Sequence, residues 1–319
     1  MKTKLDLAVG GQALIEGVMM RSPNFVSIAV RKKNGEIVSK INRQIPWPKK
    51  LGVSKVPLVR GVVSVIEMMV TGAKALDFAT EQFVDEDDEE SKKSHKSETK
   101  KSRIQNALEG LSLTVSLIIS LGLGFVLFKF VPLYITEFLR GKFVILQTQY
   151  ILFNLVDGLI RIAIFFAYIS ILFVFKSFRR VFEYHGAEHM SIHAYEHHKE
   201  LIPSEVAQYS PEHPRCGTSF LMAMLIVSII VYSFVPRQEI FWLNLLLRFS
   251  ILPVIAGIGY EILKWSAKHV NHPLMKIIIA PGIMTQYITT QKPDTAQIEV
   301  ALVALKNALN SEDNLHDKE

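Results

Sequence analysis

Residues 151–175 read ILFNLVDGLIRIAIFFAYISILFVF, an apolar run in which Asp157 and Arg161 are the only charged side chains. A helix of this length rises far enough to cross the ~30 Å hydrocarbon core of a bilayer. Working outward, a second run extends from Leu111 to Phe128, with Lys129 and Pro132 near its far end. A third lies between Phe220 and Val235, and a fourth runs from Ile240 to Leu263 after the break Pro236-Arg237-Gln238-Glu239. The third is short, and the last two read as a tight helical hairpin. Over the 319 residues, 49% are hydrophobic and the mean hydropathy is +0.25, more apolar surface than a water-soluble domain of this size carries. The predicted fold class is therefore mainly α: a polytopic membrane protein with about four transmembrane helices, a small N-terminal β-hairpin unit and a C-terminal cytoplasmic helix.

Charge sets the expected orientation. Six Lys and Arg lie between Lys92 and Arg103, then come Lys176, Arg179 and Arg180 after the second span, and Lys264 and Lys268 after the fourth. The positive-inside rule puts these groups in the cytoplasm and the sparser Arg140, Lys142 and Arg237 opposite. A multi-pass protein of the cell membrane with both termini cytoplasmic satisfies every loop. The same rule accounts for the net charge of +6, so no nucleic-acid partner is expected. Membrane lipids are the expected surroundings. The N-terminus, MKTKLDLAVGGQALIEG, has no apolar core of signal-peptide length, and the lone cysteine, Cys216, rules out an intrachain disulfide.

Along the chain, residues 1–84 read as a cytoplasmic hairpin plus an amphipathic helix. Strands Val26 to Arg31 and Glu36 to Lys40 flank the turn dipeptide Asn34-Gly35. After Pro57 a helix from Leu58 to Phe83 carries Arg60, Glu67, Lys74 and Asp77. It lies either on the membrane surface or on the β unit. Residues 85–104, acidic then basic with no large apolar residue up to Arg103, read as a disordered linker that includes a solvated His95. Residues 105–176 hold the first two spans, 177–217 a cytoplasmic His-rich segment, 218–264 the last two spans and 265–319 a cytoplasmic C-terminal region. In that region Pro273 to Pro281 is apolar but too short to span. Asp294 and Gln297 form a capping box ahead of the stripe Ile298, Ala301, Leu302, Leu305, Ala308 and Leu309.

Chemistry concentrates in Glu183 to His198, EYHGAEHMSIHAYEHH. At about 100° per residue, His185, His189 and His193 lie within about 80° of one another, with Glu196 on the same face. His185 and His189 suit one metal ion, and Glu188 can take a proton from a water the ion activates, as in the H-x-x-E-H pattern that HGAEH matches. His193 lies about 12 Å along the axis from His185 and does not reach the same ion on an unbroken helix. Candidates for a further ligand are Glu196, His213, Cys216 and Glu261. The bland alternative is a polar helix whose histidines bond Glu and backbone groups. In HPRCGTS, residues 213–219, Arg215 beside Cys216 near a helix start suggests a lowered thiol pKa and a nucleophile; ligation or burial explains a lone cysteine as well. The alternative partner for Arg215 is a phosphate or lipid headgroup.

Within the spans, Asp157, Arg161 and Arg248 read as a clamp through an Asp157–Arg248 pair, or as part of a transport path. The opening GGQALIEG lacks the endings of nucleotide-binding loops; its glycines suit turns and close packing, and Glu16 remains a candidate polar site residue.

GGQALIEGVMMRSP, YHGAEHMSIHAYEH, HPRCGTSF, GIGYE and APGIMTQYITTQKPDTAQIEVALVAL together resemble the YqhQ-like bacterial membrane proteins, a domain of unknown function. The resemblance leaves out only the charged linker and the loop after the first span. It implies a metal-dependent enzyme without an assigned reaction, and the matching positions are His185, Glu188, His189, His213 and Cys216. The expected function is thus a hydrolase with a divalent metal, zinc, on His185 and His189, closed by His213, Cys216 or Glu261, with Glu188 as the catalytic base acting on a membrane-associated substrate. The rival is a non-enzymatic scaffold or assembly factor that binds a partner protein or anionic lipid. A transporter is the third reading.

Overall fold

The computed structural model describes residues 7–93, 115, 119–120, 122–214, 216–269 and 272–316. Four antiparallel strands pair in sequence order: β1 Gly10–Leu14, β2 Gly17–Arg21, β3 Phe25–Arg31 and β4 Ile37–Arg43. The expected hairpin is β3–β4, whose turn carries Gly35 at a φ of 90°, a conformation glycine adopts at little cost. The Gly-rich opening supplies the other two strands, joined by a two-residue turn in which Glu16 takes a φ of 51°.

Period-2 geometry divides the sheet's side chains between two covers. Leu14, Met19, Val26, Ile28 and Val30 pack with Ala75 and Ala79. Those alanines belong to α2 Val59–Lys93, which follows a one-turn α1 Trp47–Lys50, so the helix expected from Leu58 packs on the β unit. It also runs past Phe83 into the acidic half of the expected linker. Glu and Lys are good helix formers without a core to bury, and the linker reading is corrected that far. Residues 94–104, including His95, lie outside the described residues.

The remaining helices are α3 Gly122–Lys142, with a π turn over Val126–Phe130, α4 Val144–Thr148, α5 Tyr150–Val174, α6 Lys176–Glu196, α7 Pro203–Val206, α8 Gly217–Ser233, α9 Phe241–Ser250, α10 Leu252–Lys268, α11 Pro273–Thr289 and α12 Thr295–His316. Among the described residues three stretches are long and apolar enough to cross a membrane, Gly122–Lys142, Tyr150–Val174 and Phe241–Ser266; Gly217–Ser233 is apolar but shorter. The chain is a membrane protein of the expected class. The first span differs from expectation, because its helix continues through Lys129 and Pro132 to Lys142; most of residues 111–121 lie outside the described residues. The apolar patch at Pro273 is likewise longer than read, since α11 runs through Pro281.

Two compact units share the chain. The first comprises residues 1–86, 169–224 and 253–319. In it the second face of the sheet, through Val18, Met20 and Ala29, packs on Tyr184, Ala187 and Met190 of α6 and on Ile298, Ala301, Leu302, Leu305, Ala308 and Leu309 of α12. The capping box forms as expected: the Asp294 amide donates to Gln297 Oε1 at 2.8 Å and the Gln297 amide to Asp294 Oδ1 at 2.7 Å. The second unit, residues 87–168 and 225–252, is built of apolar helices around Leu133, Phe153 and Leu245. Its buried Asp157 accepts from Arg161 Nη2 at 2.5 Å and from Arg248, while Arg161 Nη1 donates to Ser228 Oγ at 2.8 Å.

Candidate functional site

α6 brings His185, Glu188, His189, His193 and Glu196 onto one helix of the first unit, and the loop after α7 returns His213 and Cys216 to it. Close packing makes this possible. A methyl group on Gly186 would collide with the Gln291 carbonyl oxygen, so the chain around His185 passes another backbone where only glycine fits. Gln286 of α11 pins the loop: its Oε1 accepts from the His213 amide at 2.7 Å, and its Nε2 donates to the His213 carbonyl and to Ser219 Oγ, both at 2.9 Å.

The carbonyl partners select the histidine tautomers. His185 Nδ1 donates to the Thr289 carbonyl at 2.8 Å and His189 Nδ1 to the Pro211 carbonyl at 2.6 Å. A carbonyl only accepts, so each ring carries its proton on Nδ1 and its lone pair on Nε2. His185 Nε2 lies 3.1 Å from Cys216 Sγ. His189 Nε2 is buried and makes no hydrogen bond. The candidate ligand atoms of His185, His189 and Cys216 all lie within 4.8 Å of one another. A second group, His193, Glu196 and His213, meets the same criterion. There His193 Nε2 donates to the Glu212 carbonyl at 2.8 Å, and His213 Nε2 stands 3.4 Å from Glu196 Oε2. The His213 ring is 4.5 Å from that of His193 and 5.6 Å from that of His189.

Burial governs the charges. It pushes the Glu188 carboxyl up to about 8, opposed by nearby His185 and by the Gly11 amide, which donates to it; Glu188 Oε2 has no hydrogen-bond partner. It holds His189 well below the usual imidazole value and His213 down to about 4. Burial also raises the Cys216 thiol, the opposite direction to that expected from an adjacent arginine. Arg215 lies outside the described residues. Neutral imidazoles present lone pairs, and a thiol with a raised pKa ionises when a cation binds its sulfur, the proton leaving to water.

Of the residues singled out in the sequence, His185, His189 and Cys216 meet in one group and His213 falls in the other. Glu261 is in neither: Arg60 Nε and Nη2 donate to its two oxygens at 2.7 and 2.5 Å. Glu16 pairs with Arg180 and accepts from Tyr184 Oη at 3.1 Å. The carbonyls of Thr289 and Pro211 and the amide of Gly11 escaped the sequence reading because backbone groups carry no residue signature; Gln286 sits in a polar stretch that nothing in the spacing tied to the histidines.

A family model described as "Protein of unknown function (DUF1385)" matches residues 56–311. The chain belongs to the DUF1385 family. This DUF1385 chain is also 33% identical over 317 residues to "Uncharacterized protein YqhQ" of Bacillus subtilis (strain 168), covering 98% of the chain and 95% of that relative. No solved structure matches it. The DUF1385 match takes in both His-containing groups and excludes the four strands, so Gly11 belongs to the part of the fold covered by the likeness to the Bacillus protein alone.

Proposed function

We propose that this DUF1385 protein is a metal-dependent membrane hydrolase whose ion, zinc, is held by His185, His189 and Cys216. The observation that carries the reading is the buried, unpartnered Nε2 of His189, with His185 Nε2 and Cys216 Sγ beside it and both imidazole Nδ1 protons fixed on backbone carbonyls. Leaving an imidazole nitrogen dry and unbonded costs about 1–3 kcal/mol, which ligation recovers. Three protein ligands and an open fourth position are the pattern of zinc sites that act on substrate. The ion supplies Lewis acidity when bound. Glu188, buried next to His189 in the chain with Oε2 unpartnered, becomes the carboxylate when a cation beside it offsets the effect of burial, and in that form takes the proton of the attacking water and passes it to the leaving group.

A membrane-associated substrate suits the surroundings. A cleft of about 400 Å³ is lined by Pro214, Lys276, Ile279, Ile283, Met284 and Tyr287, and Pro214 is the chain neighbour of His213. Apolar walls with one ammonium fit an amphiphile with an anionic headgroup. The positive-inside rule assigns this face to the cytoplasm.

The test is elemental analysis of detergent-purified protein beside the His185→Ala/His189→Ala variant, both verified as folded. The expected result is zinc in the parent protein and its loss from this site in the variant; retention of the full content overturns the assignment. Glu188→Gln is expected to keep the ion and to lower turnover of a hydrolysable anionic lipid analogue about 10²–10⁴-fold. Unchanged turnover would remove the proton-carrier role.

A further inference from the structure

We infer that the chain holds a second divalent cation on His193, Glu196 and His213, beside the His185 group. The inference goes beyond the hydrolase reading and does not require it. His193 and Glu196 stand three residues apart on α6, a spacing that points both side chains to one side of a helix. His213 reaches them because both its amide and its carbonyl are held by Gln286, so the loop cannot swing the ring away without breaking two buried hydrogen bonds.

The distances favour ligation over a hydrogen bond. A charge-assisted N–H to carboxylate bond closes to about 2.7–2.9 Å, whereas His213 Nε2 and Glu196 Oε2 stand 3.4 Å apart. Two ligands on one tetrahedral ion, each about 2.0–2.1 Å from it, are separated by roughly 3.3 Å. His193 completes the set. Its Nε2 proton is committed to the Glu212 carbonyl, which makes Nδ1 the basic nitrogen of the neutral ring, and one candidate ligand atom from each of the three residues, for His193 one ring nitrogen or the other, lies within 4.8 Å of the others. Two imidazoles and a carboxylate form a set known from zinc enzymes, and unlike the first group it contains no sulfur. With the His213 ring 5.6 Å from that of His189, the two ions would be neighbours.

That difference in sulfur makes the sites separable. Full-length protein stripped with chelator and reloaded with zinc or cobalt(II) is expected to bind two ions per chain. His193→Ala/Glu196→Ala should hold one, with the near-ultraviolet thiolate-to-cobalt band intact. Cys216→Ser should lose that band while the His193 group stays loaded. Glu196→Gln, which keeps the side chain's volume, should weaken the second ion at least tenfold with no change in the melting temperature of the stripped protein. One ion per parent chain that survives His193→Ala/Glu196→Ala overturns the second site and leaves the first standing. One ion lost on changing either group also overturns it, since that describes a single shared ion. No ion in any reloaded sample overturns both assignments.

Discussion

A methyl group on Gly11 would stand 2.5 Å from the Met19 carbonyl oxygen and 2.9 Å from Cγ and Cδ of Glu188, while one on Gly10 meets nothing within 4 Å. The two adjacent glycines therefore make a controlled pair. Gly11→Ala is expected to cost about 1–3 kcal/mol, the usual penalty for overfilling a packed site, and to weaken cobalt binding, because the side chain it displaces adjoins His189. Gly10→Ala should leave both unchanged. Thermal melts of the two variants with and without cobalt check this; equal effects would show that Gly11 does not position Glu188. At this scale the candidate ligand types were readable from HGAEH and HPRCG, since metal chemistry demands particular side chains. Their orientation was not, because it depends on the Thr289 and Pro211 carbonyls, which any residue type supplies.

Among elements, α12 shows the capping box and apolar stripe at work, and it also carries a buried anchor. Glu312 accepts from Ser22 Oγ at 2.8 Å, the Asn24 amide at 2.5 Å and Asn24 Nδ2 at 2.9 Å. Hydrogen bonds to a charged group contribute about 1.5–3 kcal/mol, so Glu312→Ala should lower stability by at least 2–3 kcal/mol and Glu312→Gln by less. Equal melting temperatures for the parent and Glu312→Ala would rule the anchor out. In α5, Asp157 pairs with both Arg161 and Arg248. Asp157→Asn should cost about 3–5 kcal/mol, the loss found when one partner of a buried ion pair is removed, read as early unfolding in detergent. Survival with unaltered stability would refute the clamp. The carboxylate and its arginines were legible as rare charges in apolar runs, with Asp157 and Arg161 one turn apart. The hydroxyl of Ser228 and the Tyr232 hydroxyl that donates to the Arg248 carbonyl at 2.8 Å were not, since Ser and Tyr are ordinary residues in such helices.

For the whole molecule, the apolar helices predict that the protein stays with membranes after an alkaline carbonate wash. The orientation drawn from Lys and Arg predicts that a C-terminal alkaline phosphatase fusion is inactive and one at Gln238 active; the reverse pattern would put the His-rich face outside the cell. Hydropathy made the membrane class legible because bilayer thickness leaves few lengths to choose from. It missed the reach of α2 to Lys93, where good helix formers carry the helix on past its last apolar residue, and of α3 to Lys142, where the helix continues through Lys129 and Pro132.

The unit that bears both His-containing groups is stitched from three separated stretches, residues 1–86, 169–224 and 253–319. A ribosome therefore releases the sheet first, and the helices of the other unit must find the bilayer before the last stretch arrives. Every proposed ligand has left the ribosome once Cys216 has, yet the acceptor that aims His185 comes with Thr289 and the amide that pins His213 with Gln286. On the proposed assignment cation loading would come late in biogenesis, after insertion, and a nonsense mutation between Cys216 and Gln286 would yield a chain with every proposed ligand and neither of the contacts that orient them.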